Sequence, residues 1–87
     1  MTTVTIYSKP DCHLCDDALE VLARVRRDHD FELIEHDITS DDALLRAYFE
    51  RIPVVALDGR ELFEFFVDEH ALRSRLASHA DDLESGQ

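Results

Sequence analysis

The chain has 87 residues, room for one domain without a second core, and 45% of them are hydrophobic with only two glycines and two prolines, a composition that folds rather than stays disordered. Twenty acids against nine bases give a formal charge of −11; such a surface repels phosphate backbones and anionic lipid, argues against nucleic-acid and membrane partners, and either suits a basic protein partner or is a solubilising coat. No stretch approaches the ~20 apolar residues of a membrane span, and Met1-Thr2-Thr3-Val4-Thr5 lacks the basic and apolar regions of a secretory signal, so a cytoplasmic, monomeric protein is expected.

Thr3-Val4-Thr5-Ile6-Tyr7-Ser8, rich in β-branched residues, predicts a first strand that Lys9-Pro10-Asp11 ends. From His13 to about Arg27 the apolar residues Leu14, Ala18, Val21, Leu22 and Val25 fall on one helical stripe, with Asp16, Asp17 and Glu20 early and Arg24, Arg26 and Arg27 late, as the helix dipole favours. Asp28-His29-Asp30 breaks the pattern, and residues 31–38 predict a second strand. Thr39-Ser40 offers the cap of a short helix with Leu44, Leu45, Tyr48 and Phe49 as its buried face, ending near Glu50 or Arg51 because a residue before proline is pushed out of the helical region.

Pro53-Val54-Val55-Ala56-Leu57 reads as a central buried strand, joined by an Asp58-Gly59 hairpin turn to a partner over residues 60–65. Asp68 caps a last helix with Leu72, Leu76, Ala80 and Leu83 turned inward, and residues 82–87 are expected to fray. The order β-α-β-α-β-β-α makes one α/β domain over residues 1–87, a mixed four-stranded sheet with helices on its faces. Tyr7, Tyr48 and the Phe63, Phe65, Phe66 cluster read most plainly as packing residues, and His29, His36, His70 and His79 are too scattered to suggest a shared site.

The only two cysteines lie in Cys12-His13-Leu14-Cys15 at the first strand-to-helix junction. Two thiols so spaced can close into a small ring and reopen, which in a reducing compartment points to redox chemistry or metal binding rather than a structural staple. Two thiolates are half a zinc site, and His13 is too close in sequence to complete the usual spacing, so no resident metal is expected, although a metal or iron–sulfur reading stays open. A third reading is a binding module without turnover, motivated by the acidity and the phenylalanine cluster.

A strand ending in Tyr7-Ser8-Lys9, the Cys12-x-x-Cys15 motif opening a helix, Ile52-Pro53 starting a strand and the Asp58-Gly59 hairpin, in this order and spacing, together resemble the glutaredoxin-like branch of the thioredoxin superfamily. The resemblance implies a thioredoxin-like, glutaredoxin-type fold and thiol-disulfide oxidoreductase activity, with Cys12 attacking, Cys15 resolving, Pro53 as a cis-proline facing them, and Lys9 near the thiolate. His13 helps there if protonated. Arg51 pairs either with a substrate carboxylate or with the protein's own acids, and Ile52 and Asp68 complete a substrate-binding edge. The substrate is then a disulfide-containing protein or small molecule, and electrons come from an external thiol reductant, glutathione or a thioredoxin reductase, with no bound cofactor. The chain departs from the glutaredoxin pattern in having His13-Leu14 between the cysteines and Phe63-Glu64-Phe65-Phe66-Val67-Asp68 where a Gly-Gly and a following Asp receive glutathione. Large side chains and an added carboxylate there obstruct an anionic tripeptide.

Overall fold

Alternation of β-branched residues along strand β1 (Thr3–Ser8) buries Val4, Ile6 and Ser8 and leaves Thr3, Thr5 and Tyr7 half-buried on the opposite side. In the computed structural model, which describes residues 2–85 with side-chain surroundings through residue 78, β1 is an inner strand of a four-stranded sheet. Helix α1 (His13–Arg26) leads to β2 (Glu32–Asp37), which pairs parallel with β1 in the register Thr3 to Glu32 through Ser8 to Asp37. A 3-10 turn (Ile38–Ser40) and helix α2 (Asp42–Tyr48) follow. Strands β3 (Val54–Leu57) and β4 (Arg60–Glu64) complete the sheet, and helix α3 (Glu69–Ser85) ends the described chain. The strand order is β2-β1-β3-β4, with β1–β3 and β3–β4 antiparallel.

The expected element order and mixed sheet are both realised. The hairpin turn carries positive φ at Asp58 (48°) and Gly59 (87°), the backbone twist that an Asp-Gly pair supplies between two strands. All four β3 residues are buried, as a central apolar run requires.

One core joins Val4 and Ile6 of β1, Val55 and Leu57 of β3, Ala18, Leu22 and Val25 of α1, Leu72 and Leu76 of α3, and Phe31. Arg24 and Arg73 further tie α1 to α3: Arg24 reaches Glu69 at 2.8 Å, while Arg73 bonds Glu69 at 3.0 Å and Asp28, just past α1, at 2.6 Å. A second cluster of Cys15, Ile38 and Ile52, flanked by Tyr7, Cys12, Leu44, Leu45 and Tyr48, lies between the motif and α2. The predicted inward positions Ala80 and Leu83 lie outside the residues whose side chains are described. Helix α3 extends to Ser85.

Several local features depart from what the sequence suggests. Thr39 and Ser40 do not cap α2; they form the 3-10 turn capped by Asp37, and the cap of α2 is Asp41, whose Oδ1 accepts the Ala43 N–H at 2.8 Å. Helix α2 ends at Tyr48, because Phe49, Glu50 and Arg51 must turn the chain toward an extended Ile52 before Pro53. Tyr48 takes the inward position, and Phe49, one residue further round the helix, is 59% exposed rather than buried. Finally, a bulge between Val55 and Ala56 pairs Phe63 with Val55 but Glu61 with Ala56, so both Leu62 and Phe63 pack on the core. Phe65 and Phe66, read as packing residues, are instead 42% and 71% exposed.

Since no residue of α2 is fully buried, this helix depends on its cap. Asp41→Ala is expected to lower stability by about 1 kcal/mol, seen as a shifted urea midpoint at unchanged slope.

Candidate active site

Ser8 ends β1 and the chain turns through Asp11, whose positive φ (58°) is a conformation that Asp tolerates better than bulkier residues. This turn delivers Cys12 to the N-cap of α1 with an extended backbone (φ −113°, ψ 110°). Cys12 Sγ accepts the Cys15 backbone N–H at 3.2 Å, so the sulfur takes the capping place that a Ser or Asp oxygen usually fills.

Cys15, one turn on, is 1% exposed. It continues the buried stripe of α1 through Ala18, Leu22 and Val25 and packs on Ile38 and Ile52. The sequence pattern places Leu14 on that stripe; the structure puts Cys15 there and leaves Leu14 half-buried at the surface. Burial pushes the Cys15 thiol up to about 12, with its hydrogen bond to Cys12 acting in the same direction and the Lys9 backbone N–H opposing. Both cysteines are free thiols. One sulfur is therefore half-exposed at the helix N-terminus, and the other is buried and held protonated.

The other predicted residues gather unevenly around this pair. Ile52 joins the apolar cluster that covers Cys15, the Ile52–Pro53 peptide is cis as the resemblance implied, and the Pro53 side chain is fully buried. Lys9 contributes its backbone N–H, while its side chain is solvent-exposed, and His13 is an exposed first residue of α1. Asp68 is an exposed cap of α3, its Oδ1 accepting the Ala71 N–H at 3.0 Å.

Arg51 is held by the protein's own acids: it bonds Glu61 and lies 3.4 Å from Glu64. Its guanidinium also stacks over the Tyr48 ring at 5.3 Å. Tyr7, a strand residue without a predicted site role, stacks on Tyr48 with ring centroids 4.3 Å apart and on His36 at 5.4 Å. The Tyr48 hydroxyl donates to Glu61 at 3.3 Å, and burial, Tyr7 and Glu61 together raise its pKa. Nothing in the linear spacing of Tyr7, His36, Tyr48 and Glu61 announces this wall; the β1–β2 register, Tyr7 opposite His36, creates half of it.

Phe65 carries positive φ (68°), and the Phe66 N–H bonds the Glu64 carbonyl at 2.7 Å, closing a three-residue turn. The Phe65 N–H still bonds the Pro53 carbonyl at 2.9 Å, and the turn leaves the Phe65 and Phe66 side chains exposed at the place where the glutaredoxin pattern has glycines. Among the described residues no group of three or more His, Cys, Asp or Glu side chains converges as metal ligands. No helix among them is long and apolar enough to cross a membrane.

A mixed β2-β1-β3-β4 sheet with three helices, a Cys-x-x-Cys pair opening α1 and a cis-proline beginning β3 define an α/β protein of the thioredoxin-like fold. Residues 3–77 match the model of the glutaredoxin-like domain (DUF836), and the chain belongs to that family. An uncharacterized protein of Mycobacterium tuberculosis is 33% identical over 79 residues, covering 85% of this chain and 81% of the relative. The X-ray structure of a structural-genomics target protein from X. campestris superposes with a TM-score of 0.72 at 39% identity, covering 86% of this chain and 96% of that one. A mutant thioredoxin from Halobacterium salinarum shares the fold, with a TM-score of 0.66 at 24% identity over 88% of this chain and 73% of its own.

Proposed function

We propose that the protein is a thiol-disulfide oxidoreductase working through the Cys12/Cys15 dithiol. The observation that carries this reading is the asymmetry of the pair: a half-exposed Cys12 sulfur at a helix N-terminus, one turn from a Cys15 thiol that burial keeps protonated. The Cys12 thiolate attacks a substrate disulfide and releases one substrate thiolate; Cys15 then attacks the Cys12 sulfur and releases the second. Two electrons pass from the dithiol to the substrate, the Cys12–Cys15 disulfide forms, and the two protons of the dithiol end on the two product thiols.

An external thiol reductant restores the dithiol, and the cytoplasm is the compartment that keeps such a pair reduced. Of glutathione and thioredoxin reductase, the second is favoured, because Phe65, Phe66 and Glu64 stand where an anionic tripeptide would seat. The test is turnover of hydroxyethyl disulfide read as NADPH oxidation, coupled once through glutathione plus glutathione reductase and once through thioredoxin reductase. Turnover is expected with the second donor. A pre-reduced protein that fails to oxidise stoichiometrically when mixed with excess disulfide would refute the activity itself.

A further inference from the structure

An apolar groove of about 80 Å³ opens beside the cysteine motif, lined by Leu14, Ala18 and Val21 of α1 and by Phe65, Phe66 and Val67 of the β4–α3 loop, with Asp17 at its edge. Leu14, one of its lining residues, stands between Cys12 and Cys15 in the motif. Phe66, the most exposed of its walls at 71%, is an unusual residue to leave in water, and Phe65 adopts a backbone conformation that costs a bulky side chain free energy. The strained turn and the exposed rings thus coincide at one side of the proposed redox site.

Size and charge decide what fits. Sites for free small molecules run to roughly 300–1,000 Å³, so about 80 Å³ has room for one apolar side chain and not for a whole ligand. A larger recess, about 490 Å³, lies along α2 between Leu45 and Arg51 and contains neither cysteine. Between residues 9 and 17 the sequence carries three aspartates, Asp11, Asp16 and Asp17, against one lysine, Lys9, and of these Asp17 lines the groove. Arg51, the other cation near Ile52–Pro53, is engaged by Glu61 and Glu64. An apolar slot with the Asp17 carboxylate at its edge, on a chain of net charge −11, complements an apolar side chain flanked by Lys or Arg.

We propose, resting on the oxidoreductase reading, that the groove between Leu14 and Phe66 seats a polypeptide segment of the substrate, an apolar residue with a neighbouring cation next to the target cysteine, making this a reductase of protein disulfides with basic-apolar flanks. The seated residue holds the substrate sulfur against Cys12 while the exchange steps run as written above. An anionic or featureless disulfide reacts only by collision.

The experiment uses the pre-reduced full chain and short peptides, each with one cysteine in disulfide linkage to mercaptoethanol. One peptide has Leu and Arg beside the cysteine, one Leu and Glu, one only Ser; hydroxyethyl disulfide is the reference. Release of reduced peptide is followed in single turnovers. The Leu/Arg peptide is expected to react about tenfold faster than the Ser peptide, the factor that ~1.4 kcal/mol of seating corresponds to, and the Leu/Glu peptide slowest of the three. Phe66→Ser should bring the Leu/Arg-to-Ser ratio close to one, and Phe66→Leu should keep most of it. In the wild type, 1 M salt should shrink the gap between the Leu/Arg and Leu/Glu peptides, a measurement that needs no variant. Equal rates for the three peptides, or a preference unchanged by Phe66→Ser, with hydroxyethyl disulfide still reacting, would overturn the docking proposal alone. No reaction with any disulfide would overturn the redox reading beneath it.

Discussion

On the proposed mechanism, Cys12→Ser is expected to remove disulfide reduction, by on the order of 10³-fold or more as for enzymes stripped of their nucleophile, whereas Cys15→Ser is expected to leave the first step intact and trap its product. The two outcomes differ because the structure gives the two sulfurs different surroundings. Only Cys12 is reachable by a substrate and capped by a helix N–H; Cys15 lies within the packed stripe of α1 against Ile38 and Ile52. A serine hydroxyl at position 12 can still accept the Cys15 N–H, so the fold is preserved while the nucleophile is lost. With serine at position 15 the mixed disulfide on Cys12 has no internal thiol to resolve it and accumulates to one adduct per chain. Intact-mass measurement after mixing with a single-cysteine disulfide reads both results. Adduct formation by Cys12→Ser, or free turnover by Cys15→Ser, would reverse or remove the assigned roles. Cys15 is buried, so Cys15→Ala serves as a second variant that avoids placing a hydroxyl in an apolar pocket.

What the sequence made legible, and what it hid, divides along a physical line. The apolar stripe of α1, the β-branched run of β1 and the Asp58-Gly59 turn are local patterns, and each appears in the structure at nearly its predicted bounds. The cysteine motif was legible for the same reason. The misread features depend on partners distant in sequence or on one backbone angle. Alternation along residues 60–65 cannot show that a bulge opposite Val55 and Ala56 turns both Leu62 and Phe63 inward. Nor does a phenylalanine announce positive φ, so Phe65 and Phe66 read as core until the turn at Glu64–Phe66 displays them. The cap of α2 is not legible locally because Asp37, Thr39, Ser40 and Asp41 are all good caps, and only the intervening 3-10 turn decides between them. Arg51 had two readings, and the β4 register settled its contacts by bringing Glu61 and Glu64 within reach.

On the proposed reaction, the burial of Cys15 is expected to set the pH dependence of the second exchange step. Of the influences that raise its thiol to about 12, burial is the largest and then the hydrogen bond to Cys12, with the Cys12 charge a further contribution. Once Cys12 is in mixed disulfide its sulfur carries no charge, so both Cys12 contributions vanish, while burial and Asp16 remain and the Lys9 N–H still opposes them. Cys15 therefore stays mainly protonated at neutral pH in the intermediate. A raised thiol pKa favours the neutral form, so the reactive thiolate fraction grows with pH, tenfold per unit for as long as the pH is below that pKa. A thiolate of high pKa is also the stronger nucleophile, so its scarcity and not its reactivity limits the step. Decay of a preformed Cys12 mixed disulfide is expected to accelerate about tenfold per pH unit between pH 7 and 9, followed by rapid-quench mass analysis at each pH. A flat profile would mean that forming the adduct opens the Ile38–Ile52 packing and exposes Cys15 to water, and the burial account of the step would then be wrong.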